Sequence, residues 1–186
     1  MINKNTILFF DMDGTLVDTD FANFLAYKKA ILSVTESDHN LIFNPARRFT
    51  RSILYKAIPH LTKSDYDKII QEKEECFQDF LHEIKLKEKN ADLLFRYSKT
   101  NKTVLVSNCR KERALQTLNY FGLLDQFSYI LCRELQYSGK KINKFQNAIT
   151  KLGISPKLAI AFENEEREIE DARKAGISII NPNYLY

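Results

Sequence analysis

Residues 7–20 read ILFFDMDGTLVDTD. Thr6 and the four apolar residues after it make a continuous run with β-branched and aromatic members. That is the pattern of a strand buried on both faces, and such strands belong to parallel sheets. The run stops abruptly at Asp11, and Asp13, Gly14 and Thr15 follow. Two carboxylates at the end of a buried strand call for an explanation beyond turn chemistry, although Asp before Gly is common in turns.

Further strands of the same kind recur along the chain. TVLVS spans 103–107 behind Lys102, YIL spans 129–131, LAIAF spans 158–162 and SII spans 178–180. Helical patterns separate them. One covers 111–121 and ends at Gly122; another covers 165–175 and ends at Gly176. A third, 142–152, places Phe145, Ala148, Ile149 and Leu152 on one face and ends at Gly153. Strands alternating with helices predict an α/β, doubly wound parallel sheet. Residues 18–99 break the alternation. Phe21, Phe24, Leu25 and Lys28 are helically spaced, a second helical segment lies around 46–58, and a third runs from Tyr66 to Leu86. The predicted organisation is a core of 1–17 with 88–186, interrupted by a helical insertion over 18–87.

Composition bounds the function. The chain has 186 residues, 44% hydrophobic, with a net charge of +4. That is enough for one α/β domain with a modest insertion. The mild positive excess forms no basic arm, which argues against a nucleic-acid binder. Cys76, Cys109 and Cys132 are scattered without CxxC spacing, which disfavours a disulfide framework or zinc site and favours a reducing compartment. No segment approaches the length of a membrane span, and the polar N-terminus does not read as a signal peptide, so a soluble, cytoplasmic protein is expected.

In open parallel sheets, ligands bind beyond the carboxyl ends of the strands. The first strand delivers Asp11 and Asp13 there, and the second delivers Ser107 and Asn108. The segment after the third contains Lys140 and Lys141, and the fourth delivers Glu163, Asn164 and, one turn on, Glu168. A carboxylate can act as nucleophile, and a second one nearby as general acid and base. Hard divalent cations take oxygen ligands and bridge phosphates. A serine hydroxyl and a lysine suit a phosphoryl group, whose transfer rests on positioning and charge stabilisation.

DMDGTLV at 11–17 resembles the nucleophile motif DxDGT[LV] of the haloacid dehalogenase-like superfamily. VLVSN at 104–108 resembles the second motif, Lys141 at the mouth of the 142–152 helix resembles the third, and AIAFENEEREIEDARKAGI at 159–177 is similar to the fourth. The resemblance covers 6–181. It implies a Rossmann-like core with a small α-helical cap, Mg²⁺ as cofactor, and an aspartyl-phosphate intermediate on Asp11. It implies that Asp13 is the acid/base and that its backbone carbonyl also ligates the metal. Ser107 and Lys141 complete the expected catalytic set, with Thr15, Asn108, Lys140 and Arg47 as substrate-binding candidates. The expected metal ligands are Asp11, Asp13, Glu163 and Asn164.

Two departures stand out. The usual fourth-motif aspartate falls on Asn164, with Glu163 in the preceding position and Glu168 where another form of the motif puts its distal acid. Asn can ligate through its carbonyl oxygen but carries no charge, so metal affinity is expected to fall on the order of 10–100-fold. The Lys-Pro-x-Pro form of the third motif is absent. Lys141 is the motif lysine if the helix begins at once, and Lys140 if a longer loop precedes it. In the insertion, Arg47 and Arg51 are spaced to share a helical face and recognise an anion. His39, His60 and His82 receive no role, and Cys109 reads as a small buried residue. The expected activity is a phosphatase acting on a small phosphorylated metabolite, in a monomer or weak dimer. A sugar phosphomutase and a degenerate non-catalytic binding protein are the alternatives.

Overall fold

The computed structural model describes residues 2–134 and 142–185. Its strands are β1 (Ile7–Phe10), β2 (Val17–Asp18), β3 (Lys85–Leu86), β4 (Lys102–Val106), β5 (Tyr129–Leu131), β6 (Ala159–Phe162) and β7 (Ile179–Ile180). Its α-helices are α1 (Asp20–Thr35), α2 (Arg51–Ala57), α3 (Lys63–Cys76), α4 (Glu88–Tyr97), α5 (Lys111–Tyr120), α6 (Lys144–Leu152) and α7 (Glu166–Lys174).

All four residues of β1 are buried, and β1 is the central strand of a five-stranded sheet ordered β5-β4-β1-β6-β7. Every pairing in that sheet is parallel. Phe9 pairs with Val104 on one side and Ala161 on the other. Strand residues alternate between faces. Ile7 and Phe9 therefore share one face with Val104, Val106, Ala159 and Ala161, where Phe145, Ala148 and Ile149 of α6 and Ala172 of α7 cover them. Phe10 points the other way and stacks on Phe162 at 4.5 Å between ring centroids. The sheet is thus the parallel α/β core expected of the sequence.

The register of α6 matters for the site. The apolar pattern starts at 142, but the Asn143 side chain accepts hydrogen bonds from the N–H groups of Phe145 and Gln146, both at 3.0 Å. That cap makes Lys144 the first helical residue. The helix ends at Gly153 in the left-handed conformation.

The chain divides into two compact units, one of residues up to Asp18 together with those from Leu86 onward, the other Thr19–Lys85. The first contains the sheet. The second is helical, and its own core is built on Phe24, Tyr27, Ile31, Phe49, Leu54, Ile58 and Ile69. Thr62 and Asp65 form a capping box at the start of α3. The sequence reading of this region needs two corrections. Arg47 is exposed in a bend ahead of α2, so it shares no helical face with Arg51. The cause is local: Asn44 accepts N–H bonds from Ala46 (2.9 Å, side chain) and Arg47 (3.1 Å, carbonyl), and Thr50 then caps α2. The third helical segment does not run to Leu86 either. It passes into a 3₁₀ stretch, Phe77–Glu83, and Lys85–Leu86 forms β3, paired with β2. Among the described residues, no helix is long and apolar enough to cross a membrane.

Candidate active site

The loop after β1 is folded tightly on one carbonyl. Met12 O accepts from the N–H groups of Thr15 (3.3 Å), Leu16 (3.0 Å) and Val17 (3.1 Å), and Gly14 N–H donates to Val17 O at 2.7 Å. Gly14 sits at φ +85°, where side-chain-bearing residues are strained. A Cβ there would also lie 2.4 Å from Asn164 Nδ2. Glycine is therefore required by conformation, and any side chain there would also push the exposed Asn164 amide aside. The Thr15 hydroxyl donates to Asn164 Oδ1 at 3.0 Å and so fixes the loop after β6 to the loop after β1.

Asp11 follows β1 directly and is 5% exposed. Its N–H donates to Phe162 O at 3.0 Å, which extends the β1–β6 pairing by one step. Lys144, the first residue of α6, reaches into the same place. Its ammonium donates to Asp11 Oδ1 at 2.7 Å and Glu163 Oε2 at 2.6 Å, and lies 3.9 Å from Glu168 Oε2. Glu163 Oε1 accepts from the N–H groups of Asn164 and Glu165, at 2.9 and 3.0 Å. Glu163 therefore anchors Lys144 with one oxygen and its own loop with the other. Burial pushes the Asp11 carboxyl up from its ordinary 3.8 to about 7. Lys144 opposes that shift, while the charges of Glu163 and Asp13 add to it. Burial works to lower the Lys144 ammonium, but Asp11 and Glu163 outweigh it and hold the group above the usual lysine range, firmly protonated.

Asp13 is turned toward α5. Arg113 donates from its guanidinium to Asp13 Oδ2 at 2.6 Å, across a pair whose side chains are only 11% and 17% exposed. Ser107 ends β4, is 2% exposed, and its N–H donates to Leu131 O at 3.0 Å. Asn108 does not cap α5; its Nδ2 donates to Glu168 Oε2 at 2.9 Å. Glu168 is 4% exposed and thus ties the loop after β4 to α7.

This geometry gathers groups from β1, β4, β6, α5 and α6 on the carboxyl edge of one sheet, around a buried carboxylate held by a lysine. A sequence profile described as haloacid dehalogenase-like hydrolase matches residues 8–181. This chain is a haloacid dehalogenase-like hydrolase. The hydrolase is 28% identical over 179 residues to a phosphorylated carbohydrates phosphatase of Thermotoga maritima, covering 92% of this chain and 82% of that one. Its fold matches that of CbbY from Rhodobacter sphaeroides, solved in complex with phosphate, with a TM-score of 0.76 at 17% identity over 100% of this chain and 88% of that one. A haloacid dehalogenase-like family hydrolase from Streptococcus pneumoniae matches with a TM-score of 0.70 at 19% identity, over 94% of this chain and 82% of that one.

Within this hydrolase, the structure brings Asp11, Asp13, Thr15, Ser107, Asn108, Glu163 and Asn164 to one edge of the sheet. Lys140 and Lys141 lie outside the described residues. Among the described residues, Lys144 is the lysine in contact with Asp11, and the apolar spacing of this helix does not single it out. Its signal was present in Asn143, a good N-cap residue one position upstream. Arg113 carried no sequence signal, since its partner stands a hundred positions away. Among the described residues, no three His, Cys, Asp or Glu side chains are grouped as metal ligands. The charge count nevertheless favours a cation. Among the described residues of this cluster, Asp11, Asp13, Glu163 and Glu168 stand against Lys144 and Arg113, four carboxylates against two cations. The excess of carboxyl groups over cations leaves room for a positive ion, and the oxygen-rich donor set fits a hard one.

Proposed function

We propose that this hydrolase is a Mg²⁺-dependent phosphatase acting on a small phosphorylated metabolite, a phosphorylated carbohydrate in particular. The observation that carries the reading is Asp11, a buried carboxylate at the carboxyl end of the central strand with the Lys144 ammonium 2.7 Å from Oδ1. Asp11 attacks phosphorus and forms an acyl phosphate while the P–O bond to the leaving group breaks. Asp13 gives the departing alkoxide its proton. Asp13, now a carboxylate, takes a proton from water, which attacks the aspartyl phosphate and releases inorganic phosphate and free Asp11. Ser107 and Lys144 stabilise the transferring group, Lys144 by charge and Ser107 by hydrogen bonding. Asp11, the Asp13 carbonyl and the Asn164 amide oxygen would hold the ion, with Glu163 keeping Lys144 and the Asn164 loop in place. Mg²⁺ would neutralise charge between the carboxylate and the phosphoryl oxygens. The phosphatase named among the relatives supports the substrate class.

The test is phosphate release from a panel of sugar and small-metabolite phosphates with Mg²⁺. Wild type should turn over at least one, and Asp11→Asn should fall to background. Isomerised product without phosphate release marks a phosphomutase instead. Equal background rates in both proteins mark a non-catalytic member and overturn the reading.

A further inference from the structure

Arg113 belongs to α5, which none of the proposed steps uses. It lies in the first turn of that helix, whose inner face is fixed by Ala114, Thr117 and Leu118. Its side chain is 11% exposed, and its guanidinium donates to Asp13 Oδ2 at 2.6 Å. Asp13 sits on a loop, and the terminal torsion of an aspartate is broad and roughly two-fold. A carboxylate so placed depends on its neighbours for its orientation. A planar, directional donor from a rigid helix supplies one.

We propose that Arg113 is a positioning residue for Asp13, holding Oδ2 so that the carboxyl group keeps the orientation its acid/base role needs. The proposal rests on the acid/base role of Asp13. Ion pairs at open surfaces contribute little, but this one is largely buried and joins α5 to the loop that carries the nucleophile. Lysine in its place would keep the charge but lose the planar fork that fixes direction.

Steady-state kinetics on the best substrate, with and without Asp13, tests it. Arg113→Ala should lower kcat by about 10²-fold, the scale of a misplaced catalytic group, with KM nearly unchanged. Arg113→Lys should recover only part of that loss. In an Asp13→Asn background, Arg113→Ala should cost almost nothing more, because residues acting as one unit are non-additive. Thermal melts verify that each variant folds, and Arg113→Gln replaces Arg113→Ala if that protein does not. A rise in KM at constant kcat would show that Arg113 binds substrate and overturn the proposal. So would an equal loss in both backgrounds, or full recovery by lysine. Failure of the phosphatase reading shows separately, as identical rates for wild type and Asp11→Asn, and it overturns both.

Discussion

Asp11 has burial and two neighbouring carboxylates working against its charge, with Lys144 alone among these influences working for it. Its carboxyl is raised to about 7, so in the metal-free protein the folded form keeps the proton where the unfolded chain has already released it. Proton uptake then favours folding, and stability falls as pH rises through that window. In denaturant titrations with chelator present, wild type should lose stability relative to Asp11→Asn as pH climbs from 3.8 to about 7, and the gap should level off above that. A gap that stays constant, or moves the other way, would contradict the electrostatics described for Asp11.

At the scale of elements, the loops after β1 and β6 are linked by the Thr15–Asn164 hydrogen bond and meet closely at Gly14. Gly14→Ala brings a strained φ and a collision, so it should destabilise by about 1–3 kcal/mol or more. Removing the colliding side chain isolates the second cause. In an Asn164→Ala background the cost of Gly14→Ala should shrink, and equilibrium unfolding of the two singles and the double measures the coupling. Full additivity would mean that only the φ matters. The same scale explains what was legible in the sequence. Strands buried on both faces are continuous apolar runs, so β1, β4 and β6 stand out, and with them the strand-end residues Asp11, Ser107 and Glu163. Lys144 was obscured by a shift of two residues in the start of α6, which the apolar face does not encode and the Asn143 cap does. Arg47 was misplaced for the same reason, because the Asn44 turn and the Thr50 cap, rather than the arginine spacing, set where α2 begins. The two-residue strand β3 is too short to show any period. Arg113 is defined by a contact across the fold and has no local signature.

For the whole molecule, the proposed function makes stability depend on cation binding at the site. A ligand that binds only the folded form stabilises it by about 2.7 kcal/mol at a hundred times its Kd. Thermal melts should therefore move upward with Mg²⁺ in wild type and far less in Asp11→Asn. Asn164→Asp adds a charge beside the Thr15 hydroxyl, and it should reach the same shift at about tenfold less Mg²⁺. Equal shifts in all three proteins would place the ion elsewhere.

The chain leaves the sheet-bearing unit through β2 and returns through β3, and these two strands are paired. Lys87 N–H donates to Leu16 O at 2.8 Å, and the Lys87 ammonium lies 3.5 Å from Asp18. Exit and return are thus side by side. Everything between them closes a loop whose entropic cost grows only slowly with length. A few residues added to or removed from Thr19–Lys85 therefore cost little in loop closure, because the ribbon already holds the two ends of that segment together.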